Sequence, residues 1–202
     1  MESSIPSFEQ VRAGVGDKVI GAVSLSVADA KDRLAVYRRT LPDHAAEHSQ
    51  RGLANMINDW LWASIRRSLG PVANVALNDR EPTREIGVGL EYRLRVKRHR
   101  DRRVRSYPTQ TFLDFQLQGP QLAFPGMTEV RLNVGYSWDA DTRSISGPVI
   151  SLPHGDDVVW YETLDTVQPA VAPLRLDVDG PGLPAIELID DPDSDAEGTE
   201  DR

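Results

Sequence analysis

Residues 85–107 read EIGVGLEYRLRVKRHRDRRVRSY, and how this stretch is read decides the fold. Ile86, Val88, Leu90, Tyr92, Leu94 and Val96 take every second position, with Glu85, Glu91, Arg93, Arg95 and Lys97 between them. A period of two sends successive side chains to opposite faces, so the alternation predicts a long, half-buried strand. Its apolar face seals a core. Its other face holds Arg93, Arg95 and Lys97 in a row at a spacing of roughly 6.5–7 Å, twice the rise per strand residue. The basic run continues through Arg98, Arg100, Arg102, Arg103 and Arg105.

Upstream of this strand the pattern is helical. Ser7 is placed to cap a short helix through FEQVRAGV, with Gly14, Gly16 and Gly21 leaving its extent open. Ser26 and Asp29 form a capping-box-like start, and Val27, Ala30, Leu34, Tyr37 and Leu41 step by three and four until Pro42. A further helix is expected from about Glu47 to Leu69, stopped by Gly70-Pro71. Trp60 and Trp62 lie about 200° apart on it at 100° per residue, so one of them is expected to meet a second element or a partner protein. A short strand over 72–77 and a turn at 78–82 precede the alternating stretch.

Downstream, Thr109 leads into QTFLDFQLQ, a short helix ended by Gly119-Pro120. Val130, Leu132, Val134, Tyr136 and Trp138 alternate again, and turns at 139–142 and 153–156 divide two more strands, 144–152 and 158–164. Pro148 marks an edge or a bulge. Beyond Asp165 Pro, Gly, Asp and Glu dominate, which predicts a disordered tail. The expectation is an α+β fold: N-terminal helices (1–70) on a mainly antiparallel sheet of about five strands with one short helix (71–166), in a single domain, then an acidic tail (167–202).

The formal net charge of −8 is unevenly spread. Residues 177–202 hold ten acidic side chains against Arg202, a net of −9, which leaves the other residues at −8 − (−9) = +1. The body is therefore nearly neutral around one cationic strand and turn, a pattern that speaks of partners. With no cysteine, disulfide and thiolate chemistry are excluded. The first ten residues carry no basic and apolar leader, and no stretch nears 18 consecutive apolar residues, so a cytoplasmic chain without membrane spans is expected.

Two readings of the basic row stay open. Arginines repeated along a strand can track a nucleic-acid backbone, with Tyr92, Tyr107 or Trp138 for stacking, or they can form a solvated face that discourages edge pairing. His44 and His48 in HAAEH match the order of inverted zincins, but they sit at a helix start and need a third ligand, so surface histidines are expected. Asp139, Asp141, Asp156 and Asp157 fall in turns, where their propensity explains them, while Asp114 and Glu162 lie elsewhere. The local Glu91-Tyr92-Arg93 has Arg where a metal-dependent nuclease would place Lys. No GxSxG, phosphate-binding or dinucleotide-binding loop occurs, so no enzyme activity and no cofactor are expected.

The succession YRLRVKRHR, SYPTQTFLDFQLQG and FPGMTEVRLNVGYSWDADTRSISGPVISLPHGDDVVW resembles an uncharacterised family of actinobacterial and mobile-element proteins. Genes of that family lie beside those for ImmA/IrrE-type, zinc-peptidase-like proteins with Xre-type repressors. The likeness spans about 52–160 and rests on the basic strand, Pro108-Thr109, the strand from Leu132 to Tyr136, and Trp160. It implies a non-enzymatic regulatory or antitoxin-like companion in a toxin–antitoxin, phage-defence or repressor module, whose partner is a protein encoded nearby. It carries over no functional residue. From the residues themselves, Arg93, Arg95, Lys97, Arg98, Arg100, Arg102, Arg103 and Arg105 are candidates for an acidic or nucleic-acid partner, and Trp60 or Trp62 for a protein contact. A nucleic-acid module gated by the acidic tail is the alternative.

Overall fold

The computed structural model describes residues 5–80, 83–104, 109–117 and 129–165, so the expected tail and the stop at Gly119-Pro120 lie outside it. Helix α1 (Phe8–Val15) starts on Ser7 with a full capping box: the Ser7 hydroxyl accepts from the Gln10 amide and Gln10 Oε1 accepts from the Ser7 amide. Such a cap contributes about 1 kcal/mol. Gly16, at φ 86°, breaks the chain between α1 and α2 (Asp17–Thr40).

Ser26 is therefore not a cap but a buried mid-helix residue, because the apolar stripe of Val27, Ala30 and Leu34 extends back through Val23 and Val19. Pro42 ends α2 as expected, yet it also opens α3 (Pro42–Glu47) at a position where its missing N–H costs nothing. The single helix expected from about Glu47 to Leu69 is interrupted at His48, and α4 (Gln50–Leu69) begins anew with the Ser49 hydroxyl accepting from the Gly52 amide at 3.0 Å.

The alternating stretch is two strands. After β1 (Val75–Arg80), β2 (Thr83–Val88) turns at Gly89-Leu90-Glu91 into β3 (Tyr92–Arg100), with Val88 opposite Tyr92. Gly89 takes φ 57°, and Leu90 is 76% exposed at the turn, not part of the core face. Asp101 and Arg102, both at positive φ, turn β3 into the two-residue β4 (Arg103–Val104) as a two-residue hairpin loop requires.

Thr109 caps α5 (Gln110–Gln116), and β5 (Val130–Asp139), β6 (Ser144–His154) and β7 (Asp157–Thr163) form the expected antiparallel meander. Among the described residues the sheet has seven strands where about five were expected. Its order is β1-β2-β3-β5-β6-β7, with β4 paired to β3. Among the described residues pairing is antiparallel except at β3–β5, which run parallel from Tyr92↔Val130 to His99↔Ser137. Parallel neighbours need a crossover, and α5 lies within that connection.

The two sheet faces differ in kind. Leu53, Ile57, Leu61, Ile65 and Leu69 of α4 join the α2 stripe and Ile86, Leu94, Val96, Leu132, Val134 and Ile150 of the sheet in one apolar core. Each such side chain contributes about 1.5–3 kcal/mol on full burial. The opposite face carries Glu85, Arg95, His99, Asn133 and Ser151, all buried. Among the described residues no helix is long and apolar enough to cross a membrane.

Candidate functional site

Glu85, Arg95, Asn133, Ser151 and Tyr161 stand in register across β2, β3, β5, β6 and β7, one polar row spanning five strands. Arg95 donates through Nε and Nη2 to Glu85 Oε1, at 2.9 and 2.6 Å. Its Nη1 donates to the Thr111 carbonyl at 3.3 Å, and its guanidinium lies 3.8 Å from the Phe115 ring centroid. α5 thus covers this face, with Arg131 donating to the Asp114 carbonyl at 2.6 Å and Asn133 to Gln116 Oε1 at 3.2 Å.

Charges alternate along the rim. Glu85 also faces Arg93 at 3.7 Å, Arg93 meets Glu129 at 3.0 Å, and Glu129 accepts from Arg131 Nε at 2.8 Å. Arg95, Glu85, Arg93, Glu129 and Arg131 so form one chain in which each carboxylate serves two guanidiniums. A shallow pocket between this chain, Thr111, Asp114 and Phe115 opens to solvent.

His99 is fully buried, its Nε2 2.9 Å from Ser151 Oγ and its ring edge-on to Tyr161 at 5.8 Å. β3 and β6 are not neighbours, so this bond bridges over β5 and requires the sheet to curl towards the polar side. Burial pushes His99 down from 6.5 to about 4. Its Nδ1 lies near the Lys97 backbone without a well-formed hydrogen bond. Lys97, half-buried beside it, has its pKa lowered by burial first and by the Arg95 charge second, with Glu85 opposing.

The expected basic row is thereby broken up. Arg95 is buried and neutralised where solvent exposure was expected, because Glu85 on the adjoining strand faces it and α5 covers both. Arg93 is exposed but paired. Arg98 belongs to the helix-side parity, 5.9 Å from the Trp138 ring centroid. Arg100, Arg102 and Arg103 are exposed at the hairpin tip, beside Asp101, Tyr161 and Asp157 respectively. Arg105 lies outside the described residues, as does Tyr107.

Trp62 is core, 1% exposed, while Trp60 is half-buried and packs edge-on against Tyr37 at 6.3 Å. His48 lies beyond the end of α3 and pairs with the Tyr37 hydroxyl at 2.8 Å, whereas His44 is exposed. Asp139 accepts from the Asp141 and Thr142 amides, which stabilises its charged form and lowers its pKa. Among the described residues no three His, Cys, Asp or Glu side chains gather as metal ligands would.

Glu129, Arg131, Asn133, Gln116 and Ser151 were not singled out from the sequence. Arg131 and Asn133 do alternate with Leu132 and Val134, and that polar parity is the signal that marks them. Set against family models, curated proteins and solved structures, the chain matches none.

Proposed function

We propose that the chain is a non-enzymatic binding protein, a regulatory or antitoxin-like cytoplasmic subunit that acts by contacting another protein. The observation that supports this reading over a polyanion grip is the alternating chain of charges. Glu85 and Glu129 neutralise Arg93, Arg95 and Arg131, so the strand offers no continuous cationic track to a phosphate backbone. Exposed Leu113 and Leu117 on and next to α5, 39% and 46% exposed, suit a protein contact better than a nucleic acid. The family resemblance suggests the partner: an ImmA/IrrE-type or Xre-type protein encoded nearby, within a toxin–antitoxin, phage-defence or repressor module. Co-expression followed by size-exclusion chromatography at micromolar concentration should give a stable complex. Separate elution of the two proteins at that concentration sinks the reading.

The exposed Arg100, Arg102 and Arg103 favour a second reading, a nucleic-acid module using the hairpin tip and gated by residues 177–202. It predicts that log affinity falls steeply with log salt and that removing 177–202 tightens binding. Absence of binding at low salt removes it.

A further inference from the structure

Among the described residues the sheet ends on β1 at one side and β7 at the other, and the two edges are built differently. On β7 the register slips between Leu152 and Pro153, which leaves Val159 as an extra residue between the paired Val158 and Trp160. A bulge of this kind twists an edge away from new strands. Trp160 Nε1 also donates to the Pro6 carbonyl at 2.9 Å, and its ring packs edge-on against Phe8 at 5.7 Å. β1 instead pairs with β2 in one unbroken register from Val75 to Arg80, and Ala76, Asn78, Asp79 and Arg80 are exposed.

The register fixes which backbone groups of β1 are spare. Arg80 pairs with Thr83 across two residues, and such a closing pair exchanges hydrogen bonds, as does every second pair along the ladder. Arg80, Asn78 and Ala76 therefore turn their N–H and C=O towards β2. The Asn74 carbonyl continues the series by accepting from the Gly89 amide at 2.9 Å. Leu77 and Asp79 turn both of their groups the other way, together with the Val75 carbonyl. The Val75 N–H is taken by the Val72 carbonyl at 3.3 Å.

We propose that β1 pairs antiparallel with β1 of a second copy of this chain, Leu77 opposite the partner's Leu77, so that the sheet continues across a two-fold axis. The two Leu77 residues then exchange N–H to C=O bonds, and each Asp79 amide donates to the partner's Val75 carbonyl. Val75 and Leu77 sit half-buried at the rim of the apolar core, which the pairing extends. Sliding the strands until Leu77 faces the partner's Asp79 would put a carboxylate beside that apolar rim. Charge favours a second copy over a foreign strand. Arg80 falls opposite the partner's Asn74, whose carbonyl is bonded to the turn that carries Glu91. Arg80 and Glu91 are both exposed, and among the described residues neither has an ion-pair partner. The two-fold axis brings them together twice.

Sedimentation velocity on the full chain, from micromolar to millimolar concentration, should show a monomer–dimer equilibrium and nothing larger. Hydrogen exchange over the same range should slow at the Leu77 and Asp79 amides as the dimer forms, while the Ala76, Asn78 and Arg80 amides are protected throughout. Leu77→Pro removes an N–H that the monomer does not use and should weaken the dimer by about tenfold or more. Should that variant fail to fold, Arg80→Glu, which sets like charges together, should weaken the dimer by about fivefold, and adding Glu91→Arg should restore it. A chain that stays monomeric at millimolar concentration, an open-ended assembly, a dimer whose Leu77 and Asp79 amides exchange freely, or one indifferent to Leu77→Pro and Arg80→Glu overturns the proposal. None of these outcomes bears on the partner protein proposed above, which co-expression tests separately.

Discussion

Arg95 sits at a depth where a guanidinium is tolerable only with a counter-charge, and Glu85 and the Thr111 carbonyl take up all three of its nitrogens. Removing one member of such a pair strands the other. Arg95→Met should therefore cost about 3–5 kcal/mol in urea denaturation, while the double change Glu85→Met with Arg95→Met should recover much of that loss. A double variant no more stable than Arg95→Met would show that the pair's geometry, not its charge, matters here. His99 makes a pH prediction. Its folded value of about 4 lies below the unfolded 6.5, so the unfolded chain takes up a proton first. The stability tied to neutral His99 is fully present above pH 6.5 and is lost as pH falls through 6.5 towards 4, roughly 3 kcal/mol in all. Unfolding free energies across that window should show the slope, and His99→Gln should flatten it.

At the scale of elements, the β2–β3 hairpin explains why one strand was legible where two exist. Val88 and Tyr92 pair across a three-residue turn and are four apart, so both fall on the same face and the alternation runs through the turn unbroken. Gly89 was the only local mark of the reversal. By contrast, the strand at 130–139 and the short α5 were legible because a turn residue or a capping threonine bounds each. Arg95 was misplaced for a related reason: parity tells which face a side chain takes but not what covers that face, and α5 reaches it only through the crossover. The glycines rank accordingly. Gly89→Ala meets no neighbour and should cost about 1–2 kcal/mol, the left-handed penalty alone. Gly135→Ala combines φ 145° with a backbone collision and should cost well beyond that, as thermal unfolding of the two variants side by side would show.

Over the whole molecule the sheet separates two layers held by different forces. The helix side is a continuous apolar core, whereas α5 is fixed by Phe115, Gln116 and donations from arginines. Seven residues are too few for a helix to persist alone. Native-state hydrogen exchange should find the α5 amides opening locally, nearly independent of denaturant, while β3 and β5 exchange only through global unfolding. Equal protection in both would mean that the polar layer is as cooperative as the core. Both layers were foreshadowed by the two parities of the alternating strands; the cover over the second was not. The parallel β3–β5 junction has a consequence for the chain as a material object. Among the described residues it is the single seam between two antiparallel three-strand ribbons, β1–β3 and β5–β7. A backbone cut between residues 118 and 128 leaves every other described strand pairing inside one piece, so two separately made fragments should find each other and restore the native circular dichroism spectrum.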